Sequence, residues 1–591
     1  MELVRSNKQL IVTLLIIFFG LIIFYPSFNI HFDGDSLLTL YRFQHIVGEG
    51  REFNYFNYFF TDYGPQDSVF AIIYHFYGLN PTPYFVASFI MRIIAAFSFL
   101  PLVLFLFKDK ILAYLASIFF LVTSTGLETT GWVFNMPSYI AITLFNLYLL
   151  SVFKSKEKDS LKLIFISVIL FGLTIVVQPI RMAFLPLLGI FIEVLYLLFR
   201  FKKVETKYSF IRISIYILIV LSIFLFGKIG GSIGIGSTEN RLSGGFINSI
   251  FKYFSDFKPE NGKYEFKFFL FPIAQLGQMV FPNRLVLRSW ESLSIIKTLL
   301  FVVTPAIFIL GFILRLFKAG YSNLKQKYFN LAYWIGFAWT LATGVYFTYF
   351  QINPITTSEL LSFFAGGYLL ILIMVVLLST LKNKSSFFRS IVILSIIGFG
   401  YFIFWLRNPS VITATQERYL IVSSVGITLL LSAFVANAKN KFPLYLFFIL
   451  AILIHALGSF KYLNHLSDVR GVRLTENIRN SIPDVFDKHG NTPILFYFQP
   501  SNSEILHHSL MFGFPVIVYF QYGIDYPWSL VYTPDWQEVV SAYTDGEATK
   551  NYTSKVEVVV LDNIYSFDLE GDALVDTTEI TRQKLMTSSS P

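Results

Sequence analysis

The stretch Phe28-Asn29-Ile30-His31-Phe32-Asp33-Gly34-Asp35-Ser36 places two carboxylates directly after the first long apolar run, 10–25. A carboxylate at the edge of a membrane can accept the proton of an attacking hydroxyl or amine. The complementary group is a guanidinium, which holds a phosphate through two parallel hydrogen bonds. Arg181 and Arg418 stand at the edges of later apolar runs, in Gln178-Pro179-Ile180-Arg181 and Glu417-Arg418-Tyr419. Two further carboxylates have similar places: Glu128, in Gly126-Leu127-Glu128-Thr129, and Glu359, directly before the run 360–381. Asp-Gly-Asp alone equally describes a polar turn that ends a helix, with Gly34 freeing the backbone between the two acids.

These groups need a frame, and composition says which. Hydrophobic residues make up 55% of the 591 and charged residues only 14%, too few charges for a soluble chain of this length. Apolar runs at 10–25, 84–107, 111–125, 137–153, 163–177, 182–199, 210–227, 295–317, 329–350, 360–381, 391–406, 419–437 and 442–460 predict about thirteen transmembrane helices. The run 69–77 is too short to span and is expected to lie in the interface, as is 268–281 within the long loop 228–294. Alternate loops are basic: 108–110, 154–162, 200–207, 318–327, 382–389 and 439–441. That pattern predicts a cytoplasmic N-terminus, a retained first helix, and loops 26–83 and 228–294 outside. Residues 461–591 carry more charge and contain the Val-, Ile-, Tyr- and Phe-rich runs 493–498, 515–520 and 556–561. These read as strands of a small extracytoplasmic α/β domain that follows the 1–460 membrane module.

Cysteine is absent, which excludes disulfides and thiol chemistry. The net charge of +9 resides in short loops, so no nucleic-acid partner is expected. No glycine-rich nucleotide loop is present. His507-His508 are adjacent, so their rings diverge and a surface or core role fits better than a metal site. Asn551-Tyr552-Thr553 has the form of a glycosylation sequon. Arg92 and Glu193 are ionisable residues inside spans, each able to snorkel or to pair locally. Several site candidates have two readings. Glu128 could cap the helix near Pro137 or take part in chemistry, and Arg181 could anchor a helix end or bind lipid phosphate. Glu359 suits the dipole of the helix it opens, whereas Arg418 opposes the dipole at its own, which favours a bound anion.

The order of elements resembles the GT-C glycosyltransferase superfamily, whose members draw sugars from polyprenyl-phosphate donors. The order is one span, an early acidic motif, Tyr63-Gly64-Pro65, a short helix ending in Phe76-Tyr77-Gly78, and Arg92 in the second span. Asp33 and Gly48 keep the spacing of the acidic motif in the protein O-mannosyltransferase and aminoarabinose transferase branch, with Gly34 where Glu is usual and Asp35 one place on. Arg418-Tyr419 is similar to the Arg-Tyr that opens a late span there. Thr356-Thr357-Ser358-Glu359 resembles the Thr/Ser-x-x-Glu of oligosaccharyltransferases. That branch's Trp-Trp-Asp is missing, Pro527-Trp528-Ser529 being a poor substitute, and only Glu128 stands where its Asp-x-Asp would be.

The resemblance implies an enzyme that moves a sugar from a polyprenyl-phosphate-linked donor to an extracytoplasmic acceptor, with membrane lipids around it. Asp33 is the expected base, supported by Asp35 and Glu128; Arg418 and Arg181 are expected at the lipid phosphate, and Glu359 at the acceptor or a metal. A phosphate leaving group needs no strong acid, so no cofactor is required, and a divalent metal is left open. A bacterial inner membrane is the expected location. The competing readings are a lipid-linked saccharide flippase or other transporter, and a surface-polysaccharide ligase.

Overall fold

The computed structural model describes residues 2–48, 65–158, 160–179, 181–182, 184–199, 205–230, 267–280, 331, 334–336, 338–339, 357–407, 418–438, 441–486, 492–499, 503–510, 513–523, 530–553 and 555–588. Seven helices among them are long and apolar enough to cross a membrane: Gln9–Asn29, Thr82–Phe107, Val133–Lys158, Ser362–Thr380, Lys384–Phe402, Arg418–Ala436 and Phe442–Val469. The chain is an integral membrane protein. Lys110–Val122, Leu161–Val177 and Leu185–Phe199 are apolar but shorter. At 1.5 Å per residue each falls short of a hydrocarbon core of about 30 Å. The predicted span 295–317 and most of 329–350 lie outside the described residues. So does most of loop 228–294, although Lys267–Gly277 is an 11-residue helix broken in character by Pro272.

The second span bends at Ser98, between Thr82–Phe97 and Phe99–Phe107. Pro101 has no N–H to give to the carbonyl of Phe97, which accounts for the bend. At the basic-loop end of the bundle, Asp109 caps Lys110–Val122 by accepting from the Leu112 N–H at 3.1 Å. The same carboxylate takes Lys441 and the Tyr445 hydroxyl, both at 2.6 Å.

The first loop is not the irregular polar segment that its composition suggested. It contains the helix Gly34–Gly48, whose Leu37, Leu40 and Phe43 are buried along one face. Asp33-Gly34-Asp35 therefore opens a helix and does not end one. Gly34 is not among the glycines with positive φ, since the first residue of a helix takes ordinary helical angles.

Beyond the last membrane helix the chain forms a four-stranded mixed sheet, order β2-β1-β3-β4, from β1 Ile494–Phe498, β2 Leu530–Thr533, β3 Ile564–Glu570 and β4 Ala573–Asp576. β1 runs parallel to both β2 and β3, and β4 closes antiparallel on β3. All five residues of β1 are buried, as a central parallel strand covered on both faces requires. Two expected strands are corrected. Residues 515–520 lie in the helix Phe514–Tyr522, with a proline in its first turn and Gly523 at φ +69° ending it. These stop and start signals override the β-propensity of Val, Ile and Tyr. Residues 556–560 run outside the ladder, and the strand begins at Ile564.

The sheet region and the membrane helices meet at one seam. Ile30 forms a bridge with Gly471, the His31 N–H donates to the Arg470 carbonyl at 2.8 Å, and Asn29 donates to the Ser467 hydroxyl at 2.9 Å. Helix Gly34–Gly48 packs on Phe514–Tyr522, with Tyr41 edge-on to Tyr519 at 4.7 Å.

Candidate functional site

Asp33 is 3% exposed and holds the start of its helix. Its Oδ1 accepts from the Ser36 N–H at 3.0 Å, and its Oδ2 accepts from the Ser36 hydroxyl at 2.9 Å. This is an N-cap, a contact whose loss typically costs about 1 kcal/mol. Asp35 lies in the first helical turn and keeps contact with solvent at its surface, although protein crowds its flanks. Lost hydration, and then the Asp33 charge, push its carboxyl up to about 6. Arg418 and Arg42 pull it the other way, so both guanidiniums lie within electrostatic reach of Asp35. The raised value makes Asp35 a candidate proton acceptor beside Asp33, the base that the resemblance implies.

Arg418 begins the late membrane span, and its opposition to the helix dipole is met by the protein itself. Glu128, buried at 4% exposure, accepts from the Arg418 backbone N–H at 3.1 Å and faces its Nη1 at 3.4 Å. Glu128 thus caps a helix start 290 residues away, not the one near Pro137. The anion inferred at Arg418 is, in the first place, this carboxylate. The Arg418 guanidinium stacks on Trp132 at 4.1 Å and approaches Tyr419 at 5.5 Å, with 15% of its side chain open to solvent. Arg181 also approaches the Tyr419 ring, at 5.7 Å, and donates to the Ser138 hydroxyl, which also accepts from Gln178 at 3.1 Å. Arg181 is buried, and burial pulls it down to about 10, so it is charged at neutral pH.

The segment 123–131 that carries Glu128 is held from three sides. Arg92, fully buried, donates to the carbonyls of Leu121 at 2.8 Å and Thr123 at 2.6 Å. Its Nη1 reaches the hydroxyls of Tyr139 at 2.9 Å and Thr130 at 3.2 Å. A cation among the last carbonyls of Lys110–Val122 also suits that helix's dipole. His455 accepts from the Ser124 N–H at 3.2 Å, and the Thr125 hydroxyl donates to the Met279 carbonyl at 2.7 Å. Gly126 has φ +73°, and a Cβ there would sit 2.5 Å from the Cα of Ile421. Only glycine allows this approach, which brings Glu128 against Arg418. Arg92 therefore neither snorkels nor pairs with an acid: it positions the loop.

Asp35, Arg418, Glu128 and Arg181 are thus brought into one neighbourhood, with Asp33 fixing the first of them. Glu359 lies in the first turn of Thr357–Thr380, but its side chain, like Thr356 and Glu417, lies outside the described residues, as do Tyr63 and Gly64. Gly48 is the last residue of the helix that Asp33 caps. Sequence reasoning missed Trp132, Ser138 and Arg470. Arg470 is buried and donates to the Gly131 carbonyl at the end of the Glu128 segment. Among the described residues no three His, Asp or Glu side chains are grouped as a metal site. His507 and His508 stand on the short helix Ser503–Ser509 with ring centroids 5.8 Å apart.

No family model matches the chain, and no curated protein matches it. Among solved structures it is similar to ArnT from Cupriavidus metallidurans in the apo state, at 12% identity and TM-score 0.35, with 92% of each chain covered. ArnT bound to undecaprenyl phosphate matches at TM-score 0.32 and 12% identity over 90% of this chain and 91% of that one. The apo Archaeoglobus fulgidus oligosaccharyltransferase matches at 11% identity and TM-score 0.34, over 96% of this chain and 70% of that one.

Proposed function

We propose that this protein is a membrane glycosyltransferase that moves a sugar from a polyprenyl-phosphate-linked donor to an acceptor on the extracytoplasmic side. One observation carries the reading. The Arg418 guanidinium at the start of a membrane span stacks on Trp132, which lines one cavity with Asp33 and Gly34 at the helix start that carries Asp35, and both helix starts lie where a lipid headgroup would.

The chemistry follows from the parts. The acceptor hydroxyl or amine attacks the anomeric carbon and loses its proton to Asp35, which is ionised above about pH 6. The bond between that carbon and the phosphate oxygen breaks, and its electron pair leaves on the phosphate. Arg418 takes the growing phosphate charge on the side of its guanidinium not used by Glu128, and Arg181, which approaches the same Tyr419 ring, adds a second positive charge. Phosphate leaves without a general acid because its own acidity is sufficient. Asp33 fixes the first turn that presents Asp35, whereas the resemblance gives Asp33 the base role; asparagine variants of the two decide between them. Glu128 orients Arg418, and Arg92 orients Glu128.

The basic loops support a cytoplasmic N-terminus with residues 461–591 outside, and the absence of cysteine favours a bacterial inner membrane. Ser541→Cys in the otherwise cysteine-free chain tests the orientation: an impermeant thiol reagent labels it in intact cells, and labelling only after lysis reverses the topology. The function is tested by comparing lipid-linked sugars and surface glycans, by mass spectrometry, in a deletion strain complemented with wild type or Asp35→Asn. Wild type restores a missing glycan and consumes a polyprenyl-phosphate sugar; the variant accumulates that donor. A deletion strain whose profile matches that of its wild-type complement removes the reading, whereas a fully active Asp35→Asn removes only the role given to Asp35.

A further inference from the structure

Glycosyl transfer by Asp35 and Arg418 leaves unused a cavity beside Asp33. It lies on the sheet side of Asp33, encloses about 50 Å³, and is walled by Phe32, Asp33, Trp132, Arg470, Arg479 and His508 among others. Two guanidiniums face it from different elements, Arg470 just past the last membrane helix and Arg479 in the last turn of Val472–Asn480. Arg470 is 2% exposed; it spends one donor on the Gly131 carbonyl, and its Nε is buried with no hydrogen-bond partner. Arg479 donates to the Ser509 carbonyl at 3.2 Å and contacts the His31 ring at 3.1 Å. His31 is neutral here, because burial and the two arginines hold it well below its usual value, and its Nδ1 accepts from the Phe32 N–H at 2.8 Å. Asp33 is the acid that acts most on Arg470. It is also the helix cap, and no ion pair joins either guanidinium to an acid among the described residues.

Two guanidiniums close enough to repel, one with an idle buried donor, form an arrangement that an oxyanion completes. A carboxylate or phosphate offers the oxygen pair that a guanidinium fork fits. Trp132 lines this cavity and carries Arg418 stacked on its ring, whereas neither Arg418 nor Arg181, the cations assigned to the donor, lines it. The volume suits one small oxyanion or a few waters and excludes a sugar ring.

We propose that this cavity is an oxyanion pocket for a phosphate or carboxylate carried by the acceptor, bound by Arg470 and Arg479 beside the carboxylates that open helix Gly34–Gly48. The word acceptor rests on the glycosyl-transfer reading; the binding of an oxyanion does not.

The test uses purified full-length protein in detergent. Its unfolding temperature is followed while inorganic phosphate is titrated at fixed ionic strength, with saturating undecaprenyl phosphate present to fill the donor site. Wild type shows a saturable rise. Arg479→Gln raises the half-saturating phosphate concentration about ten- to a hundredfold, the range for a hydrogen bond to a charged group. It leaves the separate response to undecaprenyl phosphate in place. Arg470→Lys gives a second, independent loss should Arg479→Gln not fold. Unchanged phosphate responses in the variants overturn the proposal. So does a phosphate response that saturating undecaprenyl phosphate abolishes, because the pocket is then the donor's. In a turnover assay Arg479→Gln raises the acceptor KM and keeps kcat, and the opposite split also overturns it. If no transfer is found but phosphate binding maps to Arg479, the function falls and the pocket stands; transfer with phosphate binding indifferent to Arg479 gives the reverse.

Discussion

Two groups of buried charge stand at opposite ends of the helix Pro137–Lys158, and they are built differently. Near Lys156 the group is closed. Glu193, fully buried, takes Lys156 at 2.9 Å and Arg212 through two bonds of 2.8 and 3.0 Å, and the Ser155 hydroxyl accepts a further Arg212 N–H at 3.2 Å. Near Ser138 the group is open. Arg418 meets Glu128 at a loose 3.4 Å and keeps solvent contact, and Arg470 keeps an idle donor. Charge saturated by protein is architecture, since the cost of burying it is offset on the spot. Charge left under-paired next to a cavity is where a ligand has something to gain.

The sharpest way to break this contrast is at the open end. Asp35→Asn keeps the shape of the side chain and removes its proton acceptor, so turnover falls about a hundredfold to ten-thousandfold. Asp33→Asn keeps the N-cap, because asparagine caps as well as aspartate, and its loss is much smaller. Turnover of the two variants with a supplied polyprenyl-phosphate sugar ranks them; an inactive Asp33→Asn beside an active Asp35→Asn gives the base role to Asp33.

At the closed end the expected loss is in stability alone. Glu193→Gln leaves Lys156 and Arg212 buried without their acid, which costs about 3–5 kcal/mol. Denaturation in detergent shows the loss, and turnover per folded molecule is unchanged. A fall in turnover at full stability makes that cluster functional and ends the contrast.

Smaller effects sharpen the picture of the donor site. Arg418→Lys keeps the charge but loses the planar fork and the stacking on Trp132. The donor KM rises about tenfold, the usual scale for a lost charged hydrogen bond; an unchanged KM removes Arg418 from the phosphate. Smallest is the pH effect. A base at about 6 must be ionised to work, so the rate rises with pH through about 6 and then levels. The same profile in Arg418→Lys moves by less than a unit, because the charge that lowers the Asp35 value is retained. An acid limb that survives in Asp35→Asn belongs to another group.

Much of the membrane frame was legible, because long apolar runs separated by basic loops suit a bilayer and little else. The two carboxylates after the first run and Arg418 at a late helix start were legible for the same reason: polar groups at span ends stand out. The helix Gly34–Gly48 had a signal that its aromatic neighbours hid, namely an acid three residues before Ser36 and a Leu37, Leu40, Phe43 stripe. Pro515 and Gly523 likewise marked a helix where Val, Ile and Tyr suggested a strand. Partners were not legible. Nothing near Glu128 points to Arg418, and nothing near Asp33 points to Arg470 or Arg479, because those contacts form only when distant segments close on the seam.

The Ile30–Gly471 bridge makes this seam a late assembly. A ribosome working at about 5–20 residues per second needs roughly 20–90 s to pass from Asp33 to Arg470. Throughout that interval the first helices are already in the bilayer, among the cell's lipid-linked sugars. Helix Gly34–Gly48 then lacks Phe514–Tyr522, on which it packs, and the cavity beside Asp33 lacks Arg470 and Arg479. A chain truncated before residue 470 keeps Asp35, Glu128, Arg181 and Arg418 but never closes the seam, so the helix start that Asp33 caps waits for the C-terminal residues.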